Sequence, residues 1–185
     1  MSSKYKYNID SEFLDILDKE FDIKPLVEKY ASEANGKEDY DKDEIAKRVF
    51  GDYGRNLAKR ILELEGKYRD RIGEVIYNVA AKTGHVFPSV PQRLLEISFL
   101  SPRGNDEWTY KEISHKKLIH IVKKCAINQL LKKVMGEKEA NILPCRYVDI
   151  GTCTAFYEGL NLNVFFKMTG ELPKDGFCRF NALSV

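Results

Sequence analysis

The period of the apolar residues changes near residue 108, and this change restricts the chain to a fold with helices first and a sheet later. Upstream, Phe13, Leu14, Ile16, Leu17 and Phe21 make one helical stripe, with Asp10 or Ser11 as N-cap. A second helix is predicted from Pro25 to Ala34, stopped by Asn35 and Gly36. From Ile45 through Val49, Leu57, Ile61, Leu64, Tyr68, Ile72 and Val75 to Val79, apolar residues recur every three or four positions with charge between them. One helix over 43–82 would be ~60 Å long, more than the width of a domain this size. Gly51, Gly54 and Gly66 offer breaks, so the pattern predicts two helices, 43 to about 65 and about 68 to 82. The same glycines could instead admit a ligand or a helix at close range. A further helix is predicted over 91–100.

Downstream the period becomes two. In the run 117–124, Leu118, His120 and Val122 fall on one face and Ile119 and Ile121 on the other. Strands are predicted at 108–113, 117–124, 163–169 and 177–183, the last two flanking the turn residues of ELPKDG. Helical spacing returns in AINQLLKKVM, which stops at Gly136, and from Cys145 to Gly159. The fold class is therefore α+β, with N-terminal helices packed on a small antiparallel sheet formed mainly by the C-terminal half. The 185 residues, 43% of them hydrophobic, suit a single domain, mainly helical over 1–107 and α+β over 108–185.

A net charge of +2 gives no reason to expect nucleic acid or an anionic membrane as partner. The start MSSKYKYNID has no apolar core of signal-peptide length, and no run approaches the ~18 apolar residues of a spanning helix. A soluble, cytoplasmic protein is expected, and a homodimer is compatible with the sequence. Asp39, Asp41 and Asp43 imitate the start of a calcium loop, but Glu44 and Phe50 stand where that loop needs Gly and Glu, so an acidic helix cap is the better reading. P-loop, GxGxxG, HExxH and GxSxG signatures are absent. His115 and His120, five apart on extended chain, would face opposite ways and not share a metal, and His120 is expected to be a half-buried strand residue.

The four cysteines lack CxxC spacing, so they read as reduced, buried, catalytic or metal-binding residues and not as a zinc ribbon. Cys125 lies where a strand passes into a helix, a place where a helix N-terminus can lower a thiol pKa. Cys145, Asp149 and Cys153 follow at i, i+4 and i+8 on one side of a helix. That helix leads into the final hairpin, which can bring Cys178 to Cys145.

The order KKC before a helix, LPCRYVD, and EGLNLNVFFKMTGELPKDGFCRF resembles the L-2-amino-thiazoline-4-carboxylic acid hydrolase family over roughly residues 108–182. Cys125, Cys145, Asp149 and Gly176 to Phe180 match its pattern. The family's Asp usually follows the Cys by three; here Val148 holds that place and Asp149 is one later. The resemblance implies hydrolytic opening of a small sulfur and nitrogen heterocycle, a non-peptide C–N cleavage. Such a reaction needs a nucleophile or activated water, a proton donor and a cation for the carboxylate. Cys125, Cys145, Asp149 and Cys178 are then the catalytic candidates, Glu158 a further proton carrier, and Arg103 and Arg146 the carboxylate anchors. Alternatively Cys145, Cys178 and Asp149 would hold a divalent metal such as zinc, iron or manganese. The same ending is similar to 4-vinyl reductase domains, which implies a small-molecule or metal-binding sensor or accessory domain without turnover. In either case Cys125, Cys145 and Cys178 are expected to share a pocket, while Cys153 packs the core.

Overall fold

The computed structural model describes residues 11–67, 95, 98, 99, 102–114 and 116–185. Three helices open the described chain: α1 (Ser11–Glu20), α2 (Ile23–Ala34) and α3 (Asp39–Lys67). The C-terminal half runs β1 (Glu107–Ile113), β2 (Lys117–Lys124), α4 (Ala126–Met135), α5 (Glu137–Asn141), α6 (Arg146–Gly159), β3 (Val164–Gly170), α7 (Leu172–Asp175) and β4 (Cys178–Ser184). The strands form one antiparallel sheet in the order β1-β2-β4-β3. The α+β class is thus as the periodicity implies, with each strand within a residue of its expected bounds. Among the described residues no helix is long and apolar enough to cross a membrane.

Two boundaries differ from expectation. Helix α2 begins at Ile23 and not at Pro25, because the Asp22 carboxylate caps it by accepting from the Lys24 N–H at 2.9 Å. Helix α3 begins at Asp39, so the aspartates of KEDYDKDE form its first turn, where negative charge offsets the helix dipole. The expected helix over 68–82 and His115 lie outside the described residues, whereas Leu95, Ser98 and Phe99 of the expected 91–100 helix are helical.

Gly51 and Gly54 do not break α3. Gly54 and, on α6, Gly151 let the two helices cross at backbone distance, since a Cβ at Gly54 would lie 2.3 Å from the Val148 carbonyl oxygen and one at Gly151 only 2.4 Å from that of Gly51. At this crossing the Thr152 hydroxyl donates to the Gly54 carbonyl at 3.2 Å. Helix α6 is buried along most of its length, between α3 and the inner face of the sheet. That face presents Met168, Phe180 and His120 in register across β3, β4 and β2, with Phe166 opposite Ala182 on one side and Cys178 opposite Val122 on the other. The ELPKDG connection is a short helix, α7, closed by Gly176 at φ +74°.

Candidate functional site

The sequence places a strand end, a helix start and a hairpin strand around one point, and the fold joins them there. Cys125 is the residue between β2 and α4, in extended conformation, and its side chain makes no capping bond. The α4 N-terminus is instead capped by Asp106, whose Oδ1 accepts from the Ala126 N–H at 2.7 Å. Cys145 precedes α6, Asp149 lies one turn into it, and Cys178 opens β4, paired in register with Val122. Cys125, Cys145, Cys178, Asp149, Arg103 and Arg146 line one cavity, closed off further by Leu143, Leu172 and Phe180. Its free volume is about 10 Å³, roughly the room of one water molecule.

Arg103 is the centre of this cluster, 2% exposed. Its Nε donates to Asp106 Oδ2 at 2.8 Å, and its Nη1 and Nη2 donate to the two Asp149 oxygens at 3.0 and 3.4 Å. Nη2 also reaches the Cys125 sulfur at 3.8 Å, and Cζ lies 4.6 Å above the Phe99 ring. A buried guanidinium needs such partners to offset its desolvation, and the two carboxylates provide them. Burial pushes the Asp106 carboxyl above its ordinary range, against the pull of Arg103 and the Ala126 N–H.

The cysteines differ in their surroundings. The Cys145 thiol is hydrogen-bonded to the Cys125 sulfur, which holds Cys125 below the ordinary thiol range and pushes Cys145 well above it. Asn128 ties Cys145 to the scaffold, since its Nδ2 donates to the Ala140 carbonyl at 2.9 Å and lies 4.0 Å from the Cys145 sulfur. Cys178 is pushed up to about 12 by burial. Cys153 is buried in the core away from the cavity lining, as expected of a packing residue, and burial raises it too. Leu143 adopts φ +56°, a conformation strained for a bulky side chain, at the corner that delivers Cys145.

Two expected substrate anchors are otherwise engaged. Arg103 is held by carboxylates on two sides. Arg146 donates to Asp43 Oδ1 at 2.6 Å and to the Ile142 carbonyl at 2.7 Å, which locks the start of α6 to α3. Glu158 is exposed near the end of α6 and does not line the cavity, because it lies more than two turns beyond Asp149. Nor does the set Cys145, Cys178 and Asp149 fit a metal ion as arranged. Both Asp149 oxygens face Arg103, and among the described residues no group of three or more His, Cys, Asp or Glu side chains is placed to hold one.

Sequence reasoning passed over Asp106 and misjudged His120. Asp106 had a signal, a carboxylate three residues after Arg103 in a loop just before a strand, but its partner at Ala126 is 20 positions away. His120, expected to be half-buried, is 1% exposed, stacked on Phe180 with ring centroids 5.0 Å apart. Its Nε2 has no hydrogen-bond partner among the described residues, and burial lowers its pKa to about 4.

No family model matches the chain, and no curated protein does. Among solved structures it is similar to the Fe(II) unliganded H-NOX protein from K. algicida, at 12% identity and a TM-score of 0.35, over 95% of this chain and 94% of that one. A single-residue mutant of that protein gives 13% identity and a TM-score of 0.41 with the same coverage. The chemistry of the site is therefore read from its own side chains.

Proposed function

We propose that this chain is a small-molecule-binding sensor or accessory domain without turnover, its ligand site being the cavity at Cys125, Cys145 and Cys178. The observation that carries this reading is the saturation of both arginines. A thiazoline carboxylate needs a cation for its carboxylate, and Arg103 already serves Asp106 and Asp149 while Arg146 serves Asp43. Releasing Arg103 would strand two buried carboxylates at a cost of several kcal/mol, and Arg146 is held besides by the Ile142 carbonyl. A cavity of about 10 Å³ also holds no heterocycle without opening. What it offers is three sulfur atoms beside one carboxylate, Asp149, and the guanidiniums of Arg103 and Arg146, each already paired, a setting for a very small, uncharged ligand.

Native mass spectrometry and elemental analysis of protein purified without chelators test this. A bound molecule or ion present in the wild type and lost in Cys145→Ser and Cys178→Ser is the expected result. Release of ammonia or a ring-opened thiol from 2-aminothiazoline carboxylate by the wild type would overturn it in favour of the hydrolase that the sequence resembles.

A further inference from the structure

We infer that Cys125 and Cys145 form a reversible disulfide on exposure to hydroperoxide, with Cys125 as the sulfur first oxidised and Cys145 as the resolving thiol. This goes beyond the ligand reading, since it needs only the two thiols and their immediate partners. Four observations of different kinds converge on the pair. The two thiols line one cavity with room for about one water molecule, although 20 positions separate them. A guanidinium nitrogen stands 3.8 Å from the Cys125 sulfur, placed to donate to the thiolate, the reactive form of cysteine, although Asp106 and Asp149 oppose its charge there. Both cysteines stand at a helix N-terminus, Cys125 at α4 and Cys145 at α6, where the dipole favours a thiolate on either, so the guanidinium is what tells them apart. Among the described residues no cationic side chain hydrogen-bonds the Cys145 sulfur, whose neighbour is the amide nitrogen of Asn128 at 4.0 Å. The pair is thus asymmetric, with one sulfur disposed to attack and the other supplying a proton.

The size of the cavity selects the oxidant. About 10 Å³ of free volume admits a molecule little larger than water, which hydrogen peroxide is and a bulky disulfide is not. The Cys125 thiolate attacks one peroxide oxygen, the O–O bond breaks, and the sulfur becomes a sulfenic acid. The departing hydroxide takes the Cys145 proton and leaves as water. The Cys145 thiolate then attacks the Cys125 sulfur, the S–S bond forms, and the displaced hydroxide is protonated by solvent to a second water. Two thiols lose two electrons and one peroxide gains them, and a small dithiol reverses the change by exchange.

The test treats the reduced full-length chain with one equivalent of hydrogen peroxide, alkylates the remaining thiols and maps the cysteines by mass spectrometry. The expected product is one intramolecular Cys125–Cys145 bridge, two hydrogens lighter than the reduced chain and restored by dithiothreitol, with Cys153 still alkylated. In Cys145→Ser, oxidation stops at a Cys125 sulfenic acid that dimedone labels once the oxidised chain is unfolded in urea containing it; Cys153→Ser forms the bridge like the wild type. Should the serine variant fail to fold, the wild-type map alone decides. A bridge joining any other pair overturns the inference. So does a folded chain that keeps all four thiols under peroxide that oxidises the urea-unfolded chain, or one that oxidises all four at the unfolded rate.

Discussion

Arg103 and Asp149 meet in the interior as a forked ion pair, the two guanidinium nitrogens on the two carboxylate oxygens at 3.0 and 3.4 Å, across 46 positions of sequence. Asp106 holds the other side of the same guanidinium, so one cation serves two buried carboxylates. Replacing it by an apolar side chain leaves both unpaired. Arg103→Met is expected to lower unfolding free energy by about 3–5 kcal/mol, measured by urea denaturation. Adding Asp149→Asn to Arg103→Met should recover part of that loss, because the second change removes a charge that the first left stranded. Independent, additive losses in the two variants would contradict the coupling.

The crossing of α3 and α6 makes a prediction that separates two neighbouring glycines. Gly151→Ala puts a methyl 2.4 Å from the Gly51 carbonyl oxygen, so the helices must part, at a cost on the order of 1–3 kcal/mol or more. Gly51→Ala instead meets only the Arg55 side chain, at an ordinary 3.6 Å. There the better helix propensity of alanine should dominate and stabilise by roughly 0.5–1 kcal/mol. Thermal melts of the two variants should therefore move in opposite directions.

His120 makes the protein acid-sensitive. Its pKa is about 4 in the fold against an ordinary 6.5, so as pH falls the unfolded chain takes the proton first. Stability from this group is complete above about pH 6.5 and declines between there and about pH 4, at roughly 1.4 kcal/mol per pH unit. His120→Phe should flatten the difference in unfolding free energy between pH 7 and pH 5 relative to wild type. An unchanged pH dependence would mean that the imidazole finds a proton acceptor in the fold.

Cys153 and the cavity cysteines should respond differently to the same substitution. Cys153→Ser buries a hydroxyl in apolar surroundings and is expected to cost about 1–3 kcal/mol while leaving any bound ligand in place. Cys145→Ser and Cys178→Ser should lose the ligand, since a hydroxyl is a poorer soft donor at neutral pH. Melting temperature and mass-spectrometric occupancy on the same three variants check this, and full occupancy in all three would remove the sulfurs from the site.

The sequence by itself determined what repeats locally. Alternation in WTYKEI, KLIHIVKK, NVFFKMTG and FCRFNALSV gave four strands to within a residue, and spacing of three and four gave α1, α4 and α6. The path from helix to hairpin also predicted that Cys178 meets Cys145, whereas the place of Cys125 beside them and of Cys153 apart was implied by the family resemblance; the first three line one cavity. The tertiary structure alone decided what depends on a partner from elsewhere. Gly51 and Gly54 were equally good helix breaks until α6 crossed α3 and left room for no side chain at Gly54. Arg103 was as good a substrate anchor as any arginine until Asp106 and Asp149 enclosed it, and the burial of His120 followed from Phe99 and Phe180 closing on its ring. Periodicity records which face of an element turns inward, whereas pairing and desolvation depend on which groups meet there, and those lie tens of residues apart.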